Sequence, residues 1–193
     1  MKKFKMSTSI IIIVVSVSVI VGAFLLISNH FAKSDEPSDI AISSVENVLL
    51  RNMENNYPPT PKEVLKYYSD ITQCFYAGGY TEEQFIQLAN RALELYDDEL
   101  RANQDYDMYI EDLRAEIEAY EKKDWTISSY STSPSMDVEE FERDGYEWAQ
   151  LYAFYNMRQS GQIVKVTEIF LMRKDEDGRW KIYGWQQADT QQK

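Results

Sequence analysis

Eighteen consecutive residues without a charge, Ile10 to Ile27, constrain this chain more than any other feature. As a helix such a run is about 27 Å long at roughly 1.5 Å per residue, close to the hydrocarbon thickness of a bilayer. A cleaved signal peptide is the rival reading. Its apolar region is usually shorter, roughly 7–15 residues, and ends in small residues before the cleavage point. Here the run ends in Leu25-Leu26-Ile27-Ser28-Asn29-His30-Phe31, a poor peptidase site, and no Cys follows that could carry a lipid. The pattern therefore predicts an uncleaved signal anchor.

Orientation follows from the flanks. Lys2, Lys3 and Lys5 precede the run, whereas only Lys33 stands beyond it before Asp35-Glu36. The positive-inside bias keeps the N-terminus cytoplasmic and sends the rest of the chain across. The expected organisation is a cytoplasmic tail at 1–9, a transmembrane anchor at 10–28, a linker at 29–41 and an extracytoplasmic α+β domain at 42–190. The membrane, through residues 10–27, is the first partner this reading implies.

Charge is divided just as sharply. Four of the 20 basic residues lie in the first 33, which hold no acid, leaving 16 against all 32 acids, a net charge of −16. So negative a surface repels phosphate backbones, so no nucleic-acid partner is expected. One cysteine, Cys74, excludes an internal disulfide framework. The only histidine is His30, beside the apolar run, so no histidine lies near Cys74 in the sequence to activate its thiol, and Cys74 reads as a small buried hydrophobe.

Beyond a polar linker the periodicity is helical. Ile42, Val45, Leu49 and Met53 predict a helix that ends at Asn55-Asn56-Tyr57-Pro58-Pro59. Thr60-Pro61-Lys62-Glu63 combines an N-cap, a proline at the first helical position and Glu at N3, predicting a full capping box. Val64, Tyr68, Ile71 and Phe75 then form a stripe that stops at Gly78-Gly79. A second box, Thr81-Glu82-Glu83-Gln84, precedes the stripe Phe85, Leu88, Ala92 and Leu95/Tyr96, and a third long helix carries Tyr106 to Tyr120. From Trp125 the period becomes two. Strands are predicted at 125–132, 146–157, 163–173 and 179–185, separated by turn signals including Asp144-Gly145 and Ser160-Gly161, while 133–143 is left open. Three to four helices on a curved antiparallel sheet of about four strands is the expected α+β architecture.

That order, with Phe-Leu-Met-Arg-Lys-Asp-Glu-Asp-Gly-Arg-Trp-Lys-Ile-Tyr-Gly-Trp at 170–185, resembles the nuclear transport factor 2-like (cystatin-like cone) fold. Asn-Asn-Tyr-Pro-Pro-Thr-Pro-Lys-Glu-Val at 55–64 and Thr-Ile-Ser-Ser-Tyr-Ser at 126–131 also resemble an uncharacterised family of single-pass bacterial membrane proteins. The resemblance implies a cone-shaped domain. It implies no particular activity, because that superfamily hosts enzymes, binders and assembly modules.

Most chemistries fail on residues. Placing Gly178 of Asp175-Glu176-Asp177-Gly178 at the sixth position of a calcium loop puts Gly184 where a glutamate is required, so a hairpin turn is the better reading. Zinc lacks its Cys and His clusters, a Ser-His-acid triad has no histidine after residue 30, and no glycine-rich phosphate loop is present. No catalytic residue, metal or cofactor is assigned. Glu168, the one acid placed mid-strand, is expected to be an exposed cross-strand partner for Lys or Arg, with acid/base work as the alternative. Trp148, Tyr152, Glu168 and Trp185 are the candidate lining of a pocket. The functional expectation is a membrane-anchored extracytoplasmic binding or interaction module without evident catalytic activity. Its alternatives are a small-molecule-binding or acid/base cone domain and a scaffold subunit of a conjugation- or secretion-type envelope assembly, with a protein partner in the envelope.

Overall fold

The computed structural model describes residues 45–188, so the expected tail, anchor and linker lie outside the described residues. Five helices are described: α1 (Val45–Leu49), α2 (Pro61–Ala77), α3 (Glu82–Glu94), α4 (Asp98–Ala102) and α5 (Tyr106–Glu121). Five strands follow: β1 (Trp125–Thr132), β2 (Glu139–Arg143), β3 (Tyr146–Gln159), β4 (Gln162–Lys174) and β5 (Trp180–Gln187). The α+β class holds, with one more strand than about four. Among the described residues no helix is long and apolar enough to cross a membrane.

Helix starts follow the sequence signals closely. The Thr81 hydroxyl accepts from the Gln84 amide and the Gln84 side chain accepts from the Thr81 amide, a complete capping box. At α2 the Thr60 hydroxyl accepts from the Glu63 amide at 3.2 Å, with Pro61 at the first position, but no reciprocal bond from Glu63 is made. Only half of that expected box forms. The helix foreseen from Ile42 to Met53 is also shorter: it ends at Leu49, and the chain then turns through Asn52, whose side chain accepts from the Glu54 and Asn55 amides. Met53 is buried all the same. The short α4, which the periodicity missed, starts on an Asp97 cap.

The sheet is antiparallel in the order β1-β3-β4-β5, and β2 pairs with the same side of β3 as β1. Strand β3 is long enough to carry both: Thr132 faces Ala153, and Glu139 faces Gln150. Between them Ser133 takes over the ladder, donating its amide to the Tyr152 carbonyl and accepting the Tyr152 amide on Oγ, both at 2.9 Å. The two tight hairpins need left-handed backbone at both central residues, and Asp144-Gly145 and Ser160-Gly161 supply it. At the far edge, Leu95 and Asp97 exchange backbone hydrogen bonds with Ile182, a parallel extension of β5 by the segment after α3.

With α1 and α3 packed on α2 and α4 against β5, helices α2 and α5 cover one face. Its core holds Leu65, Ile71, Phe85, Leu88, Leu95, Leu151, Phe170, Met172 and Ile182, each essentially inaccessible. Cys74 is buried on α2, as its position between Ile71 and Phe75 implies. The other face of the sheet carries Tyr152, Phe154, Ile169 and Leu171 without a helical layer.

Candidate functional site

Alternation along the strands sorts side chains between the two faces. On β3 the odd positions Ala149, Leu151, Ala153, Tyr155 and Met157 are buried toward the helices. Their partners on β4 are Met172, Phe170, Glu168, Val166 and Val164, so Glu168 lies on the inner face. An acid thus occupies one position of an otherwise apolar row. This corrects the expectation of an exposed partner for Lys or Arg: the parity of β4 points Glu168 inward.

The surroundings of Glu168 are aromatic and acidic. From α2 come Tyr68 and Tyr76, from α5 come Glu116 and Tyr120, and from β3 comes Tyr155, while Tyr96 and Tyr109 join through Tyr68 and Glu116. The Tyr76 hydroxyl donates to Glu116 Oε1 at 2.6 Å. Tyr155 and Ser69 share a hydrogen bond at 3.0 Å, and the Tyr68 and Tyr96 hydroxyls meet at 3.5 Å. Trp185 closes the side nearest β5, its ring 5.7 Å from Tyr68, 5.6 Å from Tyr96 and 5.9 Å from Phe170. These groups form one inward-facing cluster.

The cluster is largely covered but not sealed. Tyr68, Tyr76, Tyr109, Glu116, Tyr120, Glu168 and Trp185 each keep some accessible surface although they lie between helices and sheet. Surrounding protein nevertheless withdraws them from bulk water. Burial pushes the phenols of Tyr68, Tyr96, Tyr109 and Tyr155 well above their ordinary value of 10.

The carboxylates show the same field. Burial, then repulsion from Glu116, lifts Glu168 from 4.5 to about 7. Burial likewise raises Glu116, opposed by the hydrogen bond from Tyr76. Among the described residues no lysine or arginine contributes to the field at either acid. Nor does any protein group hydrogen-bond Glu168 among the described residues. Buried charge is normally paired or neutralised, so this site can hold a proton on Glu168 near neutral pH, or a cation between the two glutamates. Among the described residues no group of three or more His, Cys, Asp or Glu is placed to hold a metal.

The four residues singled out from the sequence do not come together. Glu168 and Trp185 share the inner face. Trp148 and Tyr152, at even positions of β3, lie on the outer one. Trp148 donates to the Arg143 carbonyl and packs edge-on against Tyr183 at 4.9 Å. Tyr152 stacks on Phe154 at 6.3 Å. Arg173, beneath Trp148, is held by Asp97 and Glu99 and lies under the rings of Tyr146, Trp148 and Tyr183, a self-satisfied cluster. Sequence reasoning missed Glu116 and the tyrosines of α2 and α5. Glu116 had a signal: it falls on the helical stripe of Tyr109, Leu113 and Tyr120.

A family model described as a domain of unknown function (DUF6715) matches residues 1–185, and the chain belongs to that family. Comparison with curated proteins finds no match.

Proposed function

We propose that this DUF6715 protein is a membrane-anchored, extracytoplasmic binding module whose inner recess takes a small ligand bearing a protonated amine. The observation that carries the reading is Glu168, a carboxylate beneath the helices with a second acid nearby and no cationic partner. Tyrosine rings around two carboxylates offer an ammonium group both ion pairing and cation–π attraction. Anchoring is supported by the uncharged run at Ile10–Ile27 and the three lysines before it. A cone of the nuclear transport factor 2-like kind is supported by helices preceding the hairpins and by Asp-Gly-Arg-Trp-Lys-Ile at 177–182.

The test titrates the full chain in zwitterionic micelles with choline, putrescine and their neutral isosteres. Amines should bind, neutral isosteres should not, and affinity should rise from pH 6 to pH 8 as Glu168 ionises. Glu168→Gln should weaken amine binding about tenfold or more. Failure of every amine to bind, or affinity unchanged in Glu168→Gln, removes the reading. Steady turnover of an added substrate would instead favour the acid/base alternative.

A second reading, a scaffold subunit of an envelope assembly, draws on the outer sheet face, where Phe141 and Phe154 remain 38% and 41% exposed. Cross-linking in intact membranes separates the two: a fixed partner captured through Phe154, with no amine bound, favours the scaffold.

A further inference from the structure

Within a domain whose net charge is strongly negative, one cleft is positive. It has a volume of about 670 Å³ and is lined by Arg51, Arg91, Arg101, Arg179, Lys181 and Tyr57, with only Glu54 and Glu94 as acids. The cations come from four places: the turn after α1, the end of α3, α4 and the start of β5. They are therefore brought together by the fold and not by a basic stretch of sequence, which is why charge counting along the chain does not find them.

Most of these charges are held without being neutralised. Arg91 is the exception, paired with Glu94 at 2.9 Å. Arg51 stacks over the Tyr67 ring at 4.8 Å, and that ring is fixed by a hydrogen bond from its hydroxyl to the Val48 carbonyl. Arg179 and Lys181 both lie over Tyr57, at 5.2 and 4.7 Å, and Tyr57 is fixed by donation to the Trp180 carbonyl. Their remaining contacts are to backbone oxygens: Arg179 donates to the Glu54 carbonyl and Lys181 to the Glu94 carbonyl. Among the described residues, Arg51, Arg101, Arg179 and Lys181 form no ion pair. Burial holds Lys181 below the usual lysine range, with Arg179 and Arg101 adding to it, while Asp175 and Asp98 favour its charge.

We infer that this cleft is an anion site for a phosphate ester, with Arg51, Arg101, Arg179 and Lys181 as its donors. Unpaired cations converging from several elements suit a tetrahedral, multiply charged oxyanion better than a planar carboxylate, which one guanidinium can satisfy. The volume exceeds the need of phosphate alone and lies in the range of small-molecule sites. Leu49, Leu50 and Met53 on the same wall provide apolar surface for the organic part of an ester, and Leu50 is 80% exposed. A soluble phosphate ester and an anionic lipid headgroup present the same chemistry. The site is separate from the recess around Glu168 and does not depend on what that recess binds.

The full chain in zwitterionic micelles is titrated with inorganic phosphate and glycerol 1-phosphate at constant ionic strength. The same chain in nanodiscs of phosphatidylcholine is compared with nanodiscs containing phosphatidylglycerol. A rise in thermal midpoint with the soluble phosphates assigns a soluble ester, and a rise only with phosphatidylglycerol assigns a lipid headgroup; either supports the site. The apparent affinity should fall about tenfold or more in Arg51→Gln/Arg101→Gln and within a few-fold be retained in Arg51→Lys/Arg101→Lys. Arg101→Gln alone, at an exposed position, guards against misfolding of the double variant. Lys123→Gln, on a remote turn, should leave the effect unchanged. No rise in either arm, or an equal rise in Arg51→Gln/Arg101→Gln, overturns the inference.

Discussion

Helices α2 and α5 are nearly equal in length, 17 and 16 residues, yet α2 buries nine side chains and α5 buries only Ile117. Helix α2 lies along the sheet with Val64, Leu65, Ile71 and Phe75 sunk into the core. Helix α5 faces the same sheet mainly through Tyr109, Leu113, Glu116 and Tyr120, all only partly covered. It is joined to α2 by the Tyr76–Glu116 hydrogen bond and the Tyr76–Tyr120 ring contact at 4.9 Å. The difference teaches how the recess is made. One helix is welded to the sheet by aliphatic burial, and the other meets the fold through partly accessible tyrosines and Glu116, which is the arrangement the proposed recess requires.

Three measurements bear on that contrast. The largest effect is expected from truncating the core. Ile71→Ala on α2 should lower unfolding free energy by about 2–5 kcal/mol. Ile117→Ala should stay near or below the bottom of that range, because the site beside the recess can be filled by water or neighbours. Urea unfolding measures both, and an equal loss at the two positions would erase the distinction.

The next effect concerns pH. Because Glu168 is raised in the folded state to about 7 from 4.5, its stabilising contribution is fully present below 4.5 and is lost as pH rises through 7. The loss is up to about 3 kcal/mol. Glu168→Gln should match the parent at pH 4 and exceed its stability at pH 8. A flat difference across that interval would mean that α5 stands far enough off for water to solvate the carboxylate.

The smallest effect separates the two kinds of polar contact made by α2. Ser69→Ala removes the partner of the fully enclosed Tyr155 hydroxyl and should cost about 1–3 kcal/mol. Tyr76→Phe removes the bond to Glu116 at the rim, where water can substitute, and should cost about 0.5–1.5 kcal/mol. Thermal or denaturant unfolding ranks them, and a reversed order would put the better-sealed side under α5.

Much of this architecture was legible before coordinates. The caps at Thr60 and Thr81, the stripes of α2 and α3 and the turns at Asp144-Gly145 and Ser160-Gly161 are local chemistry, and local chemistry is written in order along the chain. Strand β2 was not readable, since Glu-Glu-Phe-Glu-Arg is exposed throughout and has no buried face to alternate with. The face of Glu168 was readable only in part. Strand β4 is apolar on both parities (Val164, Val166, Phe170 and Met172 against Ile163, Ile169 and Leu171), so no outer polar row fixes which side is inward. Its clue is an acid within the more apolar row. The companion Glu116 comes from a helix some fifty residues earlier, and no spacing rule links the two. The basic cleft is distributed over four elements and is a property of tertiary structure alone.

The segment that follows α3 has a consequence at high concentration. By pairing Leu95 and Asp97 with Ile182 it occupies hydrogen-bonding groups that β5 would otherwise leave open. The opposite edge is shared by β1 and β2, and its β2 part carries Glu139, Glu140, Glu142 and Arg143, all exposed. An incoming strand therefore meets a paired position at Ile182 on one side and, along β2, a charged stretch on the other. Copies crowded together then find those stretches of edge closed to sheet merging, at Ile182 by pairing and along β2 by charge.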